Sequence, residues 1–201
     1  MNRQPAILIL AAGASRRMRG EDKLLREIDG TPLLLRAARA AAAVSDDVLI
    51  TLPASDRARR AWLGDSPATL VDVVDIAMSA SIRAGVARCD ADAVLIHLAD
   101  MPEIDADALR SLTDAWTTCD TPILRATTED GRPGQPVIFA RSLFPALMQL
   151  EGDTGARNVI DAHPATSVAL PGEAATVDLD TPEAWTAWLN NRTRGSAAGR
   201  T

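Results

Sequence analysis

The chain has very few aromatic side chains, 3% of its 201 residues and no tyrosine, so it offers no platform on which single-stranded bases could stack. It also lacks an excess of basic charge. With 27 acidic against 21 basic residues the net charge is −6, which disfavours a nucleic acid partner and requires any anionic substrate to find a local basic pocket. Cysteine is scarce as well. Cys89 and Cys119 stand alone without C-x-x-C spacing, which argues against a zinc site and gives no reason for a disulfide; both are expected as small apolar residues of the interior. No apolar run is long enough to span a bilayer, and the N-terminus lacks the charged-then-apolar order of a signal peptide, so no membrane association and a cytoplasmic location are expected. Only two histidines are present: His97 falls inside an apolar run and reads as a core residue, and His163, beside Pro164, reads as a loop residue. Without a Ser-His or Cys-His pair, acyl-transfer chemistry falls away.

Against these absences, apolar residues make up 47% of the chain, enough for one sizeable core. Strand-like runs recur at 7–10, 48–52, 70–74, 93–98, 122–126 and 136–140. Helix-like runs lie between them at 32–44, 56–63, 79–88 and 105–117. This alternation predicts an α/β fold with a mostly parallel sheet covered on both faces by helices. After Gly131 the rhythm shortens: residues 131–136 and 152–155 read as loops, an antiparallel strand is expected, and Leu143, Leu147 and Leu150 share a helical face. A last helix over 181–190 is expected to pack Trp185, Trp188 and Leu189, and residues 192–201 read as a disordered tail after a single domain over 1–191.

The chemistry begins at the first strand, which opens into Ala11-Ala12-Gly13-Ala14-Ser15-Arg16-Arg17-Met18 and reaches Lys23. Small residues let successive backbone N–H groups approach phosphate oxygens, and Arg17 and Lys23 would neutralise the charge. It is not a P-loop, because Lys23 is followed by Leu24, nor a dinucleotide fingerprint, because Gly13 stands where three glycines are required. The same residues also suit an ordinary tight turn. The strand 93–98 ends in Asp100-Met101-Pro102-Glu103, and in an open α/β sheet ligands bind at the carboxyl ends of the strands, where Asp100 and the Gly13 turn would meet. Asp100 then suits Mg²⁺, which takes one or two carboxylates plus phosphate oxygens; the alternative is a helix cap. Asp178 and Asp180 point to one side of an extended segment, and either could be a second ligand. Ser79 and Ser81 suit either helix capping or recognition of a base or sugar, and Asp153 to Arg157 would place N–H groups and a cation at another helix start, with Asp153 as its cap or as part of the site.

Together, Leu10-Ala11-Ala12-Gly13-x-Ser15-x-Arg17-Met18, Lys23-Leu24-Leu25, Ser79-x-Ser81-Ile82-Arg83-Ala84-Gly85, Leu98-Ala99-Asp100-Met101-Pro102, Gly134-Gln135-Pro136-Val137, Gly152-Asp153-x-Gly155-Ala156-Arg157 and Asp178-x-Asp180-Thr181-Pro182-Glu183 resemble the molybdenum cofactor cytidylyltransferases. The resemblance implies a three-layer Rossmann-like nucleotidyltransferase fold and Mg²⁺-dependent transfer of CMP from CTP to the terminal phosphate of molybdopterin, with a molybdenum hydroxylase as client. It implies Leu10, Ala11, Ala12, Gly13, Ser79, Ser81 and Asp100 for the nucleotide, and Arg17, Lys23 and Asp100 for catalysis. Gln135, Asp153, Gly155 and Arg157 are implied for the pterin, and Asp100 with Asp178 or Asp180 for the metal. The related guanylyltransferases usually carry a second glycine at the position of Ala12, which favours cytidine over guanosine. Two departures stand out: the stretch Arg17-Met18-Arg19-Gly20-Glu21-Asp22-Lys23 is one residue longer than the usual form, placing Lys23 on an altered path, and Gln135 replaces the usual histidine. An NAD(P)H-dependent reductase and a cofactor-delivery chaperone are the rival readings.

Overall fold

The structure, a computed structural model, describes residues 4–64, 66–153 and 155–198. The strands are β1 (Ala6–Leu10), β2 (Glu27–Ile28), β3 (Thr31–Pro32), β4 (Val48–Pro53), β5 (Thr69–Val73), β6 (Ala93–Leu98), β7 (Ile123–Thr127), β8 (Pro133–Ala140) and β9 (Ala165–Ala169). The helices are α1 (Leu33–Ala42), α2 (Arg57–Leu63), α3 (Met78–Arg88), α4 (Ala106–Trp116), α5 (Phe144–Leu147), α6 (Arg157–Asp161) and α7 (Pro182–Ala198). Seven strands form the central sheet in the order β5-β4-β1-β6-β8-β7-β9, and β8 alone runs against the rest.

The layering follows from β1. Its residues are apolar at every position because both faces are covered, and alternate side chains enter different cores. Ile7 and Ile9 pack with Leu34 and Ala38 of α1 and Leu109 and Leu112 of α4. Ala6 and Leu8 pack with Ile82 and Val86 of α3 and Leu147 of α5. The result is an α/β/α sandwich, as the alternation predicts. Local signals set the helix starts: Asp56 accepts from the Arg59 N–H at 3.0 Å ahead of α2, and Asp105 accepts from the N–H groups of Asp107 and Ala108 ahead of α4. No helix among the described residues is long and apolar enough to cross a membrane.

Several elements differ from the sequence expectation. Gly134, Gln135 and Pro136 belong to β8 and not to a loop. The pairing with β7 shifts register between Arg125 and Thr127, so a proline can sit here without a ladder donor. The edge strand β9 has no counterpart among the expected strands, because Ala-Thr-Ser-Val-Ala carries little apolar signal. Leu143, Leu147 and Leu150 are all buried, but on a short 3₁₀ turn, the single-turn α5 and the residues after it. Residues 192–198 are helical and continue α7, where Arg192 pairs with Asp29 and lies over the Trp188 ring; residues 199–201 lie outside the described part. Trp185 is fully buried against Met18, Ile28, Leu33 and Leu179, and Trp188 packs partly buried against the same cluster, whereas Leu189 is exposed.

Candidate active site

The carboxyl ends of the adjacent parallel strands β1 and β6 bring the Gly13 loop beside Asp100. The Leu179 N–H donates to the Asp100 carbonyl at 3.1 Å and so draws the segment before α7 to the same edge. Lys23 completes the cluster. Its Nζ donates to Asp100 Oδ2 and, at 2.5 Å, to Asp180 Oδ1, while Arg17 pairs with the other oxygen of Asp180. Burial alone would lower the Lys23 pKa, but the charges and hydrogen bonds of Asp100 and Asp180 outweigh it and hold the ammonium above its ordinary value. Partial burial, with the charges of Asp180 and Asp100, pushes the Asp178 carboxyl upward. Asp178 and Asp180 lie on irregular chain and not on a strand.

Beside this cluster is a cleft of about 240 Å³ lined by Leu10, Ala12, Gly13, Ser81 and Asp100. Ala11 lies beneath it, fully buried, its N–H taken by the Thr51 carbonyl. Ser79 is not part of it. That hydroxyl is buried and accepts from Arg83 Nη1 at 3.4 Å. Nor does Ser79 cap α3: Asp153 Oδ1, which also borders the cleft, accepts from the Met78 N–H at 3.3 Å. Asp153 therefore sits on the nucleotide side and caps α3 instead of its own helix. Gly155, at φ +60°, lies so close to Met78 that a Cβ would come within 2.7 Å of the thioether sulfur. Arg157 is exposed at the start of the five-residue α6, with Asp161 at 3.7 Å. Gln135 lies on β8 with Oε1 buried and without a hydrogen-bond partner among the described residues. Its neighbour Gly134 takes a hydrogen bond from Arg125 Nε at 3.0 Å, and the charge of Arg157 reaches Arg125.

Asp100 Oδ1 is also buried and unpartnered among the described residues. An orphaned carboxylate oxygen beside further carboxylates fits a hard divalent cation, which accepts oxygen ligands. Among the described residues no three His, Cys, Asp or Glu side chains close into a ready cage, so phosphate oxygens would have to complete the shell.

Sequence reasoning missed Arg59 and Asp22. Arg59 is 4% exposed and shares the inner face of α2 with Leu63, and a cation at that apolar position was the available signal. Burial alone would raise Asp22, but the hydrogen bonds and charge of Arg59 hold its carboxyl below the ordinary range.

The profile of the MobA-like NTP transferase domain matches residues 7–167. The chain belongs to this family. A protein of Synechococcus elongatus named probable molybdenum cofactor guanylyltransferase is 38% identical over 105 residues, 49% of this chain and 52% of that protein, so the chain spans about half the length of that curated relative. The purine catabolism protein PucB of Bacillus subtilis is 26% identical over 194 residues, 88% of this chain and 91% of PucB. The crystal structure of Rv0371c from Mycobacterium tuberculosis superimposes with a TM-score of 0.81 at 28% identity, covering 93% of this chain and 98% of that one. A second Rv0371c structure, a complex with manganese, gives 0.78. This member of the MobA-like NTP transferase family thus carries a nucleotidyltransferase domain.

Proposed function

We propose that the protein transfers a nucleoside monophosphate from a nucleoside triphosphate to the terminal phosphate of molybdopterin, with CTP as donor. The observation that carries the reading is the cluster of Lys23, Asp100, Asp180 and Arg17 facing a small-residue loop across an open cleft. In the reaction an acceptor phosphate oxygen attacks the α-phosphorus, the bond from that phosphorus to the β-phosphate oxygen breaks, and pyrophosphate leaves. Both reactants are anions, so catalysis rests on positioning and neutralisation. Asp100 and either Asp180 or Asp178 would hold Mg²⁺, whose chemistry there is to neutralise phosphate charge as a Lewis acid.

The residues of the chain account for the rest. Ala12 and Gly13 bring backbone to the phosphates, and Lys23 carries its charge to the triphosphate. Arg17, whose side chain is 69% exposed, is free to turn from Asp180 toward the departing pyrophosphate. Gln135 and Arg157 are proposed for the pterin; the Arg125 guanidinium, which feels the charge of Arg157, bonds the Gly134 carbonyl beside Gln135. Ala12 supports CTP, because it borders the cleft at the position where guanylyltransferases usually carry glycine. GTP is the second reading, favoured by the relatives named as guanylyltransferases.

Incubation of the purified protein with Mg²⁺, molybdopterin and each nucleoside triphosphate in turn, with pyrophosphate as readout, tests the proposal. Release with CTP is expected. Release with GTP alone would move the assignment to the guanylyltransferases. An NAD(P)H absorbance change without pyrophosphate would mark a reductase, and binding of the finished dinucleotide without CTP consumption would mark a delivery protein.

A further inference from the structure

We propose that Arg59 is a positioning residue that aims the backbone donors of the nucleotide-binding loop from behind; this rests on the nucleotidyltransferase reading. Arg59 comes from α2, outside the cleft. Its Nη1 donates to the Ala11 carbonyl at 2.6 Å, and its Nη2 to the Gly13 carbonyl at 2.9 Å. In a trans peptide the C=O and the following N–H point in opposite directions. Holding the Ala11 and Gly13 carbonyls toward Arg59 therefore turns the N–H groups of Ala12 and Ala14 away from the guanidinium, and Ala12 and Gly13 themselves border the cleft. Among the described residues neither N–H has an acceptor within the protein. Unpaired backbone donors turned to one side of a small-residue loop are the elements of an anion-binding nest.

The same guanidinium fixes the second limb of the loop. Its Nε and Nη2 donate to the two oxygens of Asp22, each at 2.8 Å. Asp22 also accepts from the Ser15 hydroxyl at 3.2 Å and from the Leu24 N–H at 3.0 Å, and the Ser15 hydroxyl accepts from the Lys23 N–H at 3.2 Å. Arg59 thus sets the distance between the donors of residues 12–14 and the Lys23 ammonium. Asp22, with Asp56 at 3.2 Å, balances its charge, so Arg59 acts through the backbone and does not itself meet the phosphates. A lysine could keep the charge but not the planar fork that reaches three partners at once.

Calorimetric titration of CMP and of CTP with Mg²⁺ tests this, with GMP and GTP as a parallel pair. The wild-type protein is expected to bind the triphosphate more tightly than the monophosphate. In Arg59→Lys that gain should shrink by roughly tenfold while the monophosphate affinity changes little, as expected when charged hydrogen bonds are lost from a phosphate cradle. Turnover should then show a raised KM for the nucleotide with kcat largely retained at saturation. A purely structural role would weaken both ligands equally, in step with the folded fraction. An undiminished gain in folded Arg59→Lys overturns the proposal. If that variant does not fold, Asp22→Asn at the partly exposed partner carries the test with the same criterion. A wild-type protein that binds no nucleoside triphosphate overturns the nucleotidyltransferase reading along with this one.

Discussion

His97 should make the fold acid-sensitive in a way that one substitution removes. Its imidazole is fully buried on β6 opposite Ile9, and among the described residues neither ring nitrogen has a hydrogen-bond partner. Burial is the cause that lowers its pKa from 6.5 to about 4. The folded value lies below the unfolded one, so the unfolded chain takes up the proton first. Stability is therefore present above pH 6.5 and is lost as the pH falls toward 4. Between pH 7 and pH 5 this one group should cost about 2 kcal/mol. The assay is urea unfolding of the wild type and of His97→Leu at both pH values. Carboxylates titrate alike in the two proteins, so the wild type should lose about 2 kcal/mol more than the variant. Any packing change from leucine shifts both pH values equally and leaves the difference intact. At pH 7 the variant should be no less stable, since an unpartnered buried polar atom costs about 1–3 kcal/mol. Parallel losses in the two proteins would refute the reasoning.

Asp100→Asn should reduce turnover by at least about a hundredfold while leaving the melting temperature near the wild-type value, because charge stabilisation at the reacting phosphates goes but Lys23 keeps Asp180. Pyrophosphate release at the wild-type rate from the folded variant would contradict the metal role. Gly134→Ala should destabilise by about 3 kcal/mol, measured by urea unfolding, since its Cβ would lie 2.0 Å from the Ala175 carbonyl oxygen and neither backbone can give way easily. Trp185→Ala should cost about 3–5 kcal/mol through the cavity it opens. It should also lower turnover, because Trp185 Nε1 donates at 3.1 Å to the Leu179 carbonyl, next to Asp180; a stability loss with full turnover in the folded fraction would separate that helix from the site.

Much of this architecture could be read from residue order. Ile7 to Leu10 is apolar throughout because the strand is covered on both sides, and that continuity marked a central parallel strand. Asp100 was legible for a similar reason: a carboxylate just beyond a buried strand must face the crevice. The start of β8 was not, because glycine and proline usually punctuate strands, and only the register shift opposite Arg125 makes them tolerable here. The choice between Asp178 and Asp180 stayed open in the sequence, since both lie equally close in chain order. Three-dimensional packing brings Asp180, 157 residues away, onto Lys23. The role of Arg59 is not legible in the sequence, because an arginine on a helix usually points to solvent and two of its partners are backbone carbonyls that carry no residue signature.

The stretch between Arg17 and Lys23 is held at several points. Residues 16–18 form a 3₁₀ turn, and the reversal that follows is made by Arg19 at φ 55° and Gly20 at φ 100°. Two successive left-handed residues reverse the chain within a short span, and glycine at the second takes that conformation without strain. Met18 anchors one side of that bend, buried against Trp185 and Leu179, and Arg19 reaches Glu183 at 2.6 Å on α7. On the other side Ser15, itself at φ 49°, ties back to Asp22 and to the Lys23 N–H. These ties deliver Lys23 to Asp100 and Asp180. The segment 178–198 therefore ties the first loop of the chain to the last helix: it anchors the bend through Trp185, Leu179 and Glu183 and supplies Asp180 to Lys23.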